Sequence, residues 1–350
     1  MPRNIIQQLA DHYVHRYGSI ELLKFEAQMS RYFAREYERW HGNKELPESY
    51  GVSSFEGCIA RKETLAESID HYNKELCIYQ AFLDKEHMAY TMAYYGATAK
   101  HTEINNSLSL EQAQTEKYKL IIERAEIEDG QKILDLGCGF GGFLKYLLKT
   151  YPNVTVTGIN PSTVQTKYIR DTLSDFDKSR FDLIERYISD VNEDVMPHNS
   201  YDRIVSIGVL EHISNLDLLF KYQAEILKAG GKAFHHCIVS IDTLPQFLNA
   251  ESTLIAKYFP GGHIWPYAEL RRHNTHLKFI ESWFVNGMNY WKTLDEWHKR
   301  FWDSIEYLYP YYLSIDEVKD WNEYFILCKS MFLPDNGNSY GNGQFLYEKI

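Results

Sequence analysis

From about residue 130 onward, short apolar runs alternate with stretches in which apolar residues recur every three or four positions. Short apolar runs bounded by glycine and polar turns predict buried strands, whereas the three-to-four spacing predicts amphipathic helices. Because strands and helices alternate, the pattern predicts an α/β fold with a parallel, doubly wound sheet and helices on both faces. We expect seven strands, at about 132–136, 154–158, 181–187, 202–207, 231–238, 278–286 and 343–349.

The first 115 residues have a different pattern, which is polar and rich in tyrosine and glutamate. Apolar positions such as Ile20, Leu23, Phe33 and Tyr37 follow helical spacing, so we expect a helical N-terminal region over 1–115 and an α/β domain over 116–350. The gap between the fifth and sixth strands, about 240–277, is longer than a simple crossover needs. Since ligands of open α/β sheets bind at the carboxyl edge of the strands, we expect this insertion to be a lid there.

A glycine-dense turn follows the first predicted strand, in the run Lys132-Ile-Leu-Asp-Leu-Gly-Cys-Gly-Phe-Gly-Gly142. Glycine gives the backbone the freedom and the close approach that a bound ligand needs, and the helix from about Gly142 to Lys149 points its amide-rich end at that ligand. The motif lacks the Gly-Lys-Ser/Thr of a Walker loop, and its G-x-G-x-G-G spacing differs from the dinucleotide pattern. Asp135, two residues before the first glycine, suits the ammonium group of S-adenosylmethionine rather than a pyrophosphate.

Polar side chains also follow the second and fourth predicted strands. Asn160 stands where many nucleotide-binding folds place an acid for the ribose hydroxyls, and Gln165 in the next helical turn would assist it. A simple helix cap formed by Ser162 is the alternative for this segment. After the fourth strand, the adjacent carboxylate and imidazole of Glu211 and His212 make acid–base chemistry available at a strand end.

Composition and charge narrow the class of partner. The net charge of −11 argues against binding of nucleic acid and disfavours docking on anionic lipid. We therefore expect a small-molecule or lipid acceptor and at most transient membrane contact, and homo-oligomerisation stays open. The five cysteines are odd in number and lack C-x-x-C spacing, which indicates reduced thiols in a cytoplasmic protein. On the fifth strand His236 and Ile238 share one face and His235 and Cys237 the other, so no metal site is predicted.

Taken together, these segments resemble the cyclopropane fatty acid synthase and mycolic acid cyclopropane synthase family of S-adenosylmethionine-dependent methyltransferases. The resemblance covers roughly residues 71–350 and rests on ordered motifs: His71-Tyr-Asn, Ala89-Tyr-Thr-Met-Ala-Tyr-Tyr95, Leu108-Ser-Leu-Glu-Gln-Ala-Gln114, Leu134-Asp-Leu-Gly-Cys-Gly-Phe-Gly-Gly142, Tyr201-Asp-Arg-Ile-Val-Ser-Ile-Gly-Val-Leu-Glu-His212, Tyr258-Phe-Pro-Gly-Gly262, Asn289-Tyr-Trp-Lys-Thr-Leu-Asp-Glu-Trp297 and Gly343-Gln-Phe. It implies a Rossmann-like methyltransferase domain over 116–350 and an N-terminal region over 1–115 that completes the cofactor and substrate pocket.

In this family the sulfonium methyl group is transferred to a carbon–carbon double bond, and a bound bicarbonate takes a proton from the resulting carbocation. The resemblance implies that Glu211, His236, Tyr290 and the backbone of Ile238 surround the bicarbonate. Together with His212, the first three are then the catalytic candidates. It also implies a cofactor site, formed with Asp135 by Tyr72, Tyr90, Gly137, Gly139, Asn160 and Gln165. The predicted activity is C-methylation or cyclopropanation of an unsaturated lipid or another apolar substrate.

One residue departs from the family pattern. Met92 stands where the family has a cysteine beside the bicarbonate, and a thioether cannot donate a hydrogen bond to an anion. A second reaction therefore stays open: coclaurine-type N-methyltransferases resemble the same family, and for such a reaction Glu211 and His212 would orient an amine and remove its proton. A non-catalytic cofactor-binding protein and a dinucleotide-dependent oxidoreductase are the remaining alternatives.

Methyl transfer needs a dry pocket that holds the acceptor in line with the sulfonium methyl group. We expect aromatic residues of the insertion and of the helices to form its walls, and core packing is the alternative role for each of them. The candidates are Phe259, Trp265, Trp283 and Trp291.

Overall fold

A sheet of nine strands forms the centre of the chain in a computed structural model, which describes residues 4–42, 59–60, 69–176, 178–190, 193–243, 246–247, 258 and 262–350. Within these ranges the strands are β1 (Lys132–Leu136), β2 (Thr155–Ile159), β3 (Phe181–Ile184), β4 (Tyr201–Ile207), β5 (Leu227–Ser240), β6 (Gln246–Phe247), β7 (His263–Pro266), β8 (Leu277–Asn286) and β9 (Tyr340–Lys349). All seven predicted strands are present, and β6 and β7 are additional.

The order of the strands confirms the predicted Rossmann-like α/β fold. Five parallel strands lie side by side as β3-β2-β1-β4-β5, and β9 runs antiparallel between β5 and β8. The chain builds outward from β1 to β3 and then returns to place β4 on the other side of β1. Such a reversal opens a crevice beyond the carboxyl ends of β1 and β4, where open α/β sheets bind their ligands.

Helices cover the sheet and extend beyond it. In the described ranges they are α1 (Ile5–Ala10), α2 (Ile20–Trp40), α3 (Leu76–Phe82), α4 (Leu110–Arg124), α5 (Gly142–Thr150), α6 (Thr163–Thr172), α7 (Leu216–Ile226), α8 (Tyr267–Leu270), α9 (Met288–Asp303), α10 (Ile305–Leu308) and α11 (Ile315–Met331). Side-chain caps fix where the long helices begin: Ser109 and Gln112 form a capping box on α4, and Ser314 and Glu317 form one on α11.

Two stretches differ from what their composition indicates. The insertion at 240–277, predicted to be a lid, contains two strands in its described part, since β7 extends the sheet in parallel beside the last two residues of β5, and β6 pairs with β7. Strands of two and four residues are too short to produce a recognisable hydrophobic periodicity in the sequence. The Asn- and Gly-rich stretch 335–343 has the composition of a turn, yet β9 begins at Tyr340. Gly341 and Gly343 are needed within the strand because the rings of Phe284 and Phe345 lie against them.

A second hydrophobic core lies outside the sheet. It contains α1 and α3 from the N-terminal region together with α9, α10 and α11, and α2 packs against α11. We call α1–α3 and α9–α11 the helical roof. Its centre is aromatic, with Tyr79, Phe82, Trp297 and Trp321 buried together. Helices from the N-terminal region and from residues 288–331 thus share one core, which faces the carboxyl edge of the sheet. Among the described helices, none combines the length and the apolar character that crossing a bilayer requires.

Candidate active site

Two adjoining chambers lie between the carboxyl edge of the sheet and the helical roof. The sheet-side chamber is lined mostly by residues that follow β1, β2 and β4, including Asp135, Gly137, Gly139, Asn160, Gln165, Val209 and His212. The helix-side chamber is lined by roof residues and strand ends, including Phe33, Glu211, Ile238, Tyr290, Trp297, Tyr324, Cys328 and Phe332. Tyr72, Tyr90, Thr91 and Gly208 line both chambers. Molecules bound in the two chambers would therefore meet at these four boundary residues.

The glycine turn forms the floor of the sheet-side chamber. The backbone amides of Gly137 and Cys138 donate to the carbonyl of Ile159 over 2.9 and 3.1 Å, which ties the end of β1 to the end of β2. Gly137 has a φ of 71°, and a Cβ atom there would overlap the side chain of Val209. Only glycine fits this position, so the chamber keeps a backbone floor.

Asp135 brings a buried carboxyl group to this chamber. The residue is 2% exposed, and within the described part of the chain its Oδ2 has no hydrogen-bond partner. Burial raises the pKa of Asp135 to about 7, and the nearby cation of Lys117 opposes that rise. A buried carboxylate oxygen without a partner costs free energy, which a cationic donor in the chamber would recover.

Asn160 and Gln165 lie side by side in the lining of the same chamber. The Asn160 amide donates to Oε1 of Gln165 over 2.8 Å. Ser162 also caps α6, because its hydroxyl accepts from the amide of Gln165, and it is hydrogen-bonded to the carbonyl of Tyr72. The two sequence interpretations of this segment are therefore compatible: Ser162 is a cap, and the two amides line the chamber.

Tyr72 and Tyr90 form the aromatic partition between the chambers. The hydroxyl of Tyr72 is hydrogen-bonded to Nε2 of His212 over 3.0 Å, and the hydroxyl of Tyr90 to Nε2 of His71 over 3.1 Å. Burial lowers the pKa of His71 to about 3 and that of His212 to about 4, so both imidazoles are neutral near pH 7. His212 thus lies on the sheet-side chamber, where it orients Tyr72.

Glu211 is the carboxylate of the helix-side chamber. It lies in the 3₁₀ turn Leu210–His212 after β4, and its Oε1 accepts from the backbone amide of Ile238 over 2.7 Å. The residue is 3% exposed, and its Oε2 has no hydrogen-bond partner among the described residues. Burial raises the pKa of Glu211 to about 7, against the effect of the Ile238 amide. The described residues lining this chamber include no lysine or arginine to offset the charge.

Of the remaining residues predicted around a bicarbonate, two line the helix-side chamber and one does not. Ile238 and Tyr290 line the helix-side chamber with Glu211, whereas His236 lines neither chamber. The two ring nitrogens of His236 are hydrogen-bonded to the side-chain amides of Asn342 and Gln344, at 3.1 and 3.0 Å. Met92 is 1% exposed and also lines neither chamber. The catalytic roles of these residues stay predictions.

The aromatic walls of the helix-side chamber are not those predicted. Trp265 donates its indole N–H to the carbonyl of Leu210, Trp283 lies under the guanidinium of Arg124, and Trp291 donates to Glu26. None of these three tryptophans lines either chamber, and Phe259 lies outside the described residues. The walls come instead from the helical roof, as Phe33, Trp297, Tyr324 and Phe332. Helical periodicity marks such residues as buried but cannot tell a chamber wall from a core position.

The sequence did not point to Lys117, a buried lysine next to the boundary between the two chambers. Lys117 on α4 has no exposed surface, and its Nζ donates to the hydroxyl of Thr91 over 2.8 Å. Burial lowers the pKa of Lys117 to about 7, and the carboxylates of Asp84 and Asp135 oppose that change. Lysine on a helix is usually exposed. The only signal in the sequence that Lys117 is buried is its position within the apolar spacing of α4.

The residues of the sheet-side chamber fit S-adenosylmethionine. The unpaired oxygen of Asp135 suits the ammonium group, the glycine floor leaves room for the methionine moiety, and the amides of Asn160 and Gln165 suit ribose hydroxyls. Within the described residues, no group of three or more His, Cys, Asp and Glu side chains is arranged to hold a metal ion.

Comparison with known proteins points to the same cofactor. The family model described as mycolic acid cyclopropane synthetase matches residues 60–340. A probable (S)-tetrahydroprotoberberine N-methyltransferase of Papaver bracteatum is 29% identical over 220 residues, which cover 62% of this chain and 59% of that protein. The cyclopropane-fatty-acyl-phospholipid synthase of Escherichia coli K12 is 29% identical over 258 residues, which cover 70% of this chain and 62% of that protein.

Among solved structures, that of coclaurine N-methyltransferase with N-methylheliamine and S-adenosylhomocysteine superposes with a TM-score of 0.81. The superposition covers 99% of both chains at 21% sequence identity, so it supports the fold. The helical roof thus has a counterpart in the fold of that protein. The curated relatives named above include both an enzyme of nitrogen methylation and one of alkene cyclopropanation.

Proposed function

The chain belongs to the family of mycolic acid cyclopropane synthetases, S-adenosylmethionine-dependent methyltransferases, and we propose that it methylates the nitrogen of an apolar amine held in the helix-side chamber. The observation that carries this proposal is the buried Oε2 of Glu211, which has no hydrogen-bond partner among the described residues. An amine N–H gives that oxygen a partner, whereas an alkene cannot. An amine also suits a chamber whose charged group is a carboxylate.

The cofactor would be held in the sheet-side chamber. Asp135 would bind its ammonium group, the backbone of Gly137 and Gly139 would border the methionine moiety, and Asn160 with Gln165 would bind the ribose. Tyr72 and Tyr90 would border the sulfonium from the partition between the chambers. When bound, S-adenosylmethionine supplies an electrophilic methyl group.

Glu211 would orient the acceptor and take its proton. As the nitrogen–methyl bond forms and the sulfur–methyl bond breaks, the amine becomes positively charged, and its N–H proton would pass to Oε2 of Glu211. With a pKa raised to about 7, Glu211 is a stronger base than an ordinary carboxylate and still ionises near neutral pH. The aromatic faces of Trp297 and Tyr324 would stabilise the cationic nitrogen.

Methylation of a carbon–carbon double bond is the second candidate. It is favoured by the presence of Glu211, Ile238 and Tyr290 together on one apolar chamber, as the resemblance to cyclopropane synthases implies. Three hydrogen bonds weigh against the bicarbonate that this reaction would need. The Ile238 amide is already bonded to Glu211, and both nitrogens of His236 are bonded to amides.

The two reactions are distinguished by the atom that receives the methyl group. The chain is incubated with S-adenosylmethionine carrying a ¹³C methyl group and with two acceptor panels, apolar secondary amines and unsaturated fatty acids or phospholipids. NMR of the products locates the label. We expect an N-methyl resonance. Label on a carbon skeleton would overturn the proposal in favour of the second candidate, and absence of S-adenosylhomocysteine with every acceptor would favour a non-catalytic protein.

A further inference from the structure

We infer that Lys117 is a positioning residue for methyl transfer, which fixes the side chain of Thr91 at the boundary between the two chambers. The inference rests on the proposed methyl transfer. It concerns a residue that lines neither chamber and that acts through its neighbour.

Lys117 is buried in an unusual way. Its side chain has no exposed surface, although lysine is almost never fully buried without a partner. Its Nζ donates to Oγ1 of Thr91 over 2.8 Å, and the carboxylates of Asp84 and Asp135 offset the cost of burying its charge. Burial of a charge is costly, and an uncharged methionine of similar length could pack at this place. Packing alone therefore does not explain why the residue is a lysine. What the ammonium group of Lys117 provides, and methionine could not, is the hydrogen bond to Thr91.

Thr91 is held from three directions. Lys117 binds its hydroxyl, and the side-chain amide of Gln114, also on α4, donates to its backbone carbonyl over 2.9 Å. On the third side its methyl group faces Gly208, where an added Cβ atom would lie 2.8 Å from Cγ2 of Thr91. Since Gly208 and Thr91 both line the two chambers, this contact sets part of the opening between them.

The opening is where the acceptor and the methyl group must meet. Transfer depends on near-attack geometry, and a displacement of about 1 Å can lower a rate by about 100-fold. Without the bond from Lys117, the Thr91 side chain is free to rotate about χ1 and to place its hydroxyl or its methyl group in the opening. Lys117 therefore acts on the opening through Thr91, although it lines neither chamber itself.

The test compares four single variants and one double variant at saturating concentrations of S-adenosylmethionine and of an apolar secondary amine that the unaltered chain methylates. Lys117→Met removes the donor and keeps the length of the side chain, and Thr91→Val removes the acceptor hydroxyl and keeps the shape. Thr91→Ser keeps the hydroxyl. Lys119→Met is the matched control, because Lys119 lies on the same helix, is exposed, and pairs with Glu116. The kcat of each variant and of the Lys117→Met/Thr91→Val double variant is measured, with the thermal midpoint as a check of folding.

We expect Lys117→Met and Thr91→Val each to lower kcat by roughly tenfold or more, and the double variant to be no slower than the slower single variant. Thr91→Ser keeps the hydroxyl and should lose clearly less kcat than Thr91→Val, and Lys119→Met should stay within about twofold of the unaltered chain. Multiplicative effects in the double variant, or a fully active Thr91→Val, would overturn the inference. If Lys117→Met does not fold, the contrast between Thr91→Val and Thr91→Ser decides.

The experiment also separates this inference from the proposed function. An unaltered chain that transfers no methyl group to any acceptor would overturn the proposed function, and this inference with it. An active chain whose kcat is insensitive to Thr91→Val would overturn only the role of Lys117.

Discussion

Two buried carboxylates carry most of the chemistry at the scale of single residues, and each has one oxygen without a hydrogen-bond partner in the described part of the chain. Asp135 lies on the sheet-side chamber and Glu211 on the helix-side chamber. Burial raises the pKa of each to about 7. Because each lies next to a chamber that would hold a different molecule, substitutions at the two positions should have separable effects.

The pH dependence of turnover should report the ionisation of Glu211. Since only the ionised carboxylate can accept a proton, kcat should rise with pH through about 7 and then level off. A weakly basic arylamine is the acceptor of choice, because it stays unprotonated over this range. Measurement of kcat from pH 5 to 9 checks this. A profile with no ionisation between pH 6 and 8 would contradict the role of Glu211.

The raised pKa of Glu211 should make the folded protein less stable as the pH rises, whereas it should make kcat rise with pH. The folded protein binds this proton more tightly than the unfolded chain, whose glutamate has a pKa near 4.5. The stabilisation gained from protonation is therefore present at low pH and is lost as pH rises from about 4.5 to about 7. Glu211→Gln carries no such ionisation, so at pH 8 it should be at least as stable as the unaltered chain.

Asp135→Asn tests the assignment of the ammonium site. S-adenosylmethionine and S-adenosylhomocysteine share the ammonium group and differ in the charge on sulfur. If Asp135 binds the ammonium, both affinities should fall by similar factors, on the order of tenfold or more, the weight of a charge-assisted hydrogen bond. Isothermal titration with both ligands measures this. A loss confined to S-adenosylmethionine would show instead that Asp135 interacts with the sulfonium.

At the scale of elements, α2 is the outer wall of the helix-side chamber and is fastened by a buried charge network. Phe33 on α2 lines the chamber, and Glu26 on the same helix accepts from Lys329 of α11 over 2.9 Å. Lys329 also contacts Asp295 of α9 at 3.0 Å, and the side chain of this lysine is 4% exposed. One ammonium thus joins three helices of the roof.

Lys329→Met should loosen this wall. The substitution leaves two carboxylates without their cation, and removal of one partner of a buried ion pair costs about 3–5 kcal/mol. We expect a lower thermal midpoint and a higher KM for the acceptor, because Phe33 is no longer held in place. The matched control is Lys319→Met on the same helix, where the lysine is half exposed and lies 3.9 Å from Glu323. Equal effects of the two substitutions would contradict the role of the network.

The elements show what the sequence could predict and what it could not. Strands β1 to β5, β8 and β9 follow from apolar runs that are long enough to show a pattern, and the glycine turn and Glu211 follow from their places at strand ends. β6 and β7 could not be predicted, because strands of two and four residues are too short to show a hydrophobic pattern. The orientation of His236 depends on Asn342 and Gln344, which the chain brings beside it only after β9 has paired with β5.

At the scale of the whole molecule, the sheet and the helical roof meet across the sheet-side chamber. The segment just before α3 is hydrogen-bonded to the sheet side of this chamber, through Ser162 with Asn73 at 2.8 Å and Tyr72 with His212 at 3.0 Å. A ligand that contacts Tyr72 and Tyr90 on one side and Gly137 and Asn160 on the other would therefore join the two halves.

Binding of S-adenosylhomocysteine should stabilise both halves together. A ligand at about 100 times its Kd adds about 2.7 kcal/mol to the free energy of unfolding. Hydrogen exchange should slow in two separate segments, the residues around Tyr72 and the turn after β1, and should change little at the distant end of α11. Slowing confined to the turn after β1 would contradict a chamber closed by the N-terminal region.

The most direct test of the account compares turnover and cofactor affinity in Glu211→Gln. Removal of a general base lowers a rate by about 100-fold or more, whereas Glu211 does not line the sheet-side chamber. We predict that kcat for methylation of an apolar secondary amine falls by at least about 100-fold, while the Kd for S-adenosylmethionine stays within about twofold. Unchanged turnover, or equal losses of turnover and affinity, would contradict the account.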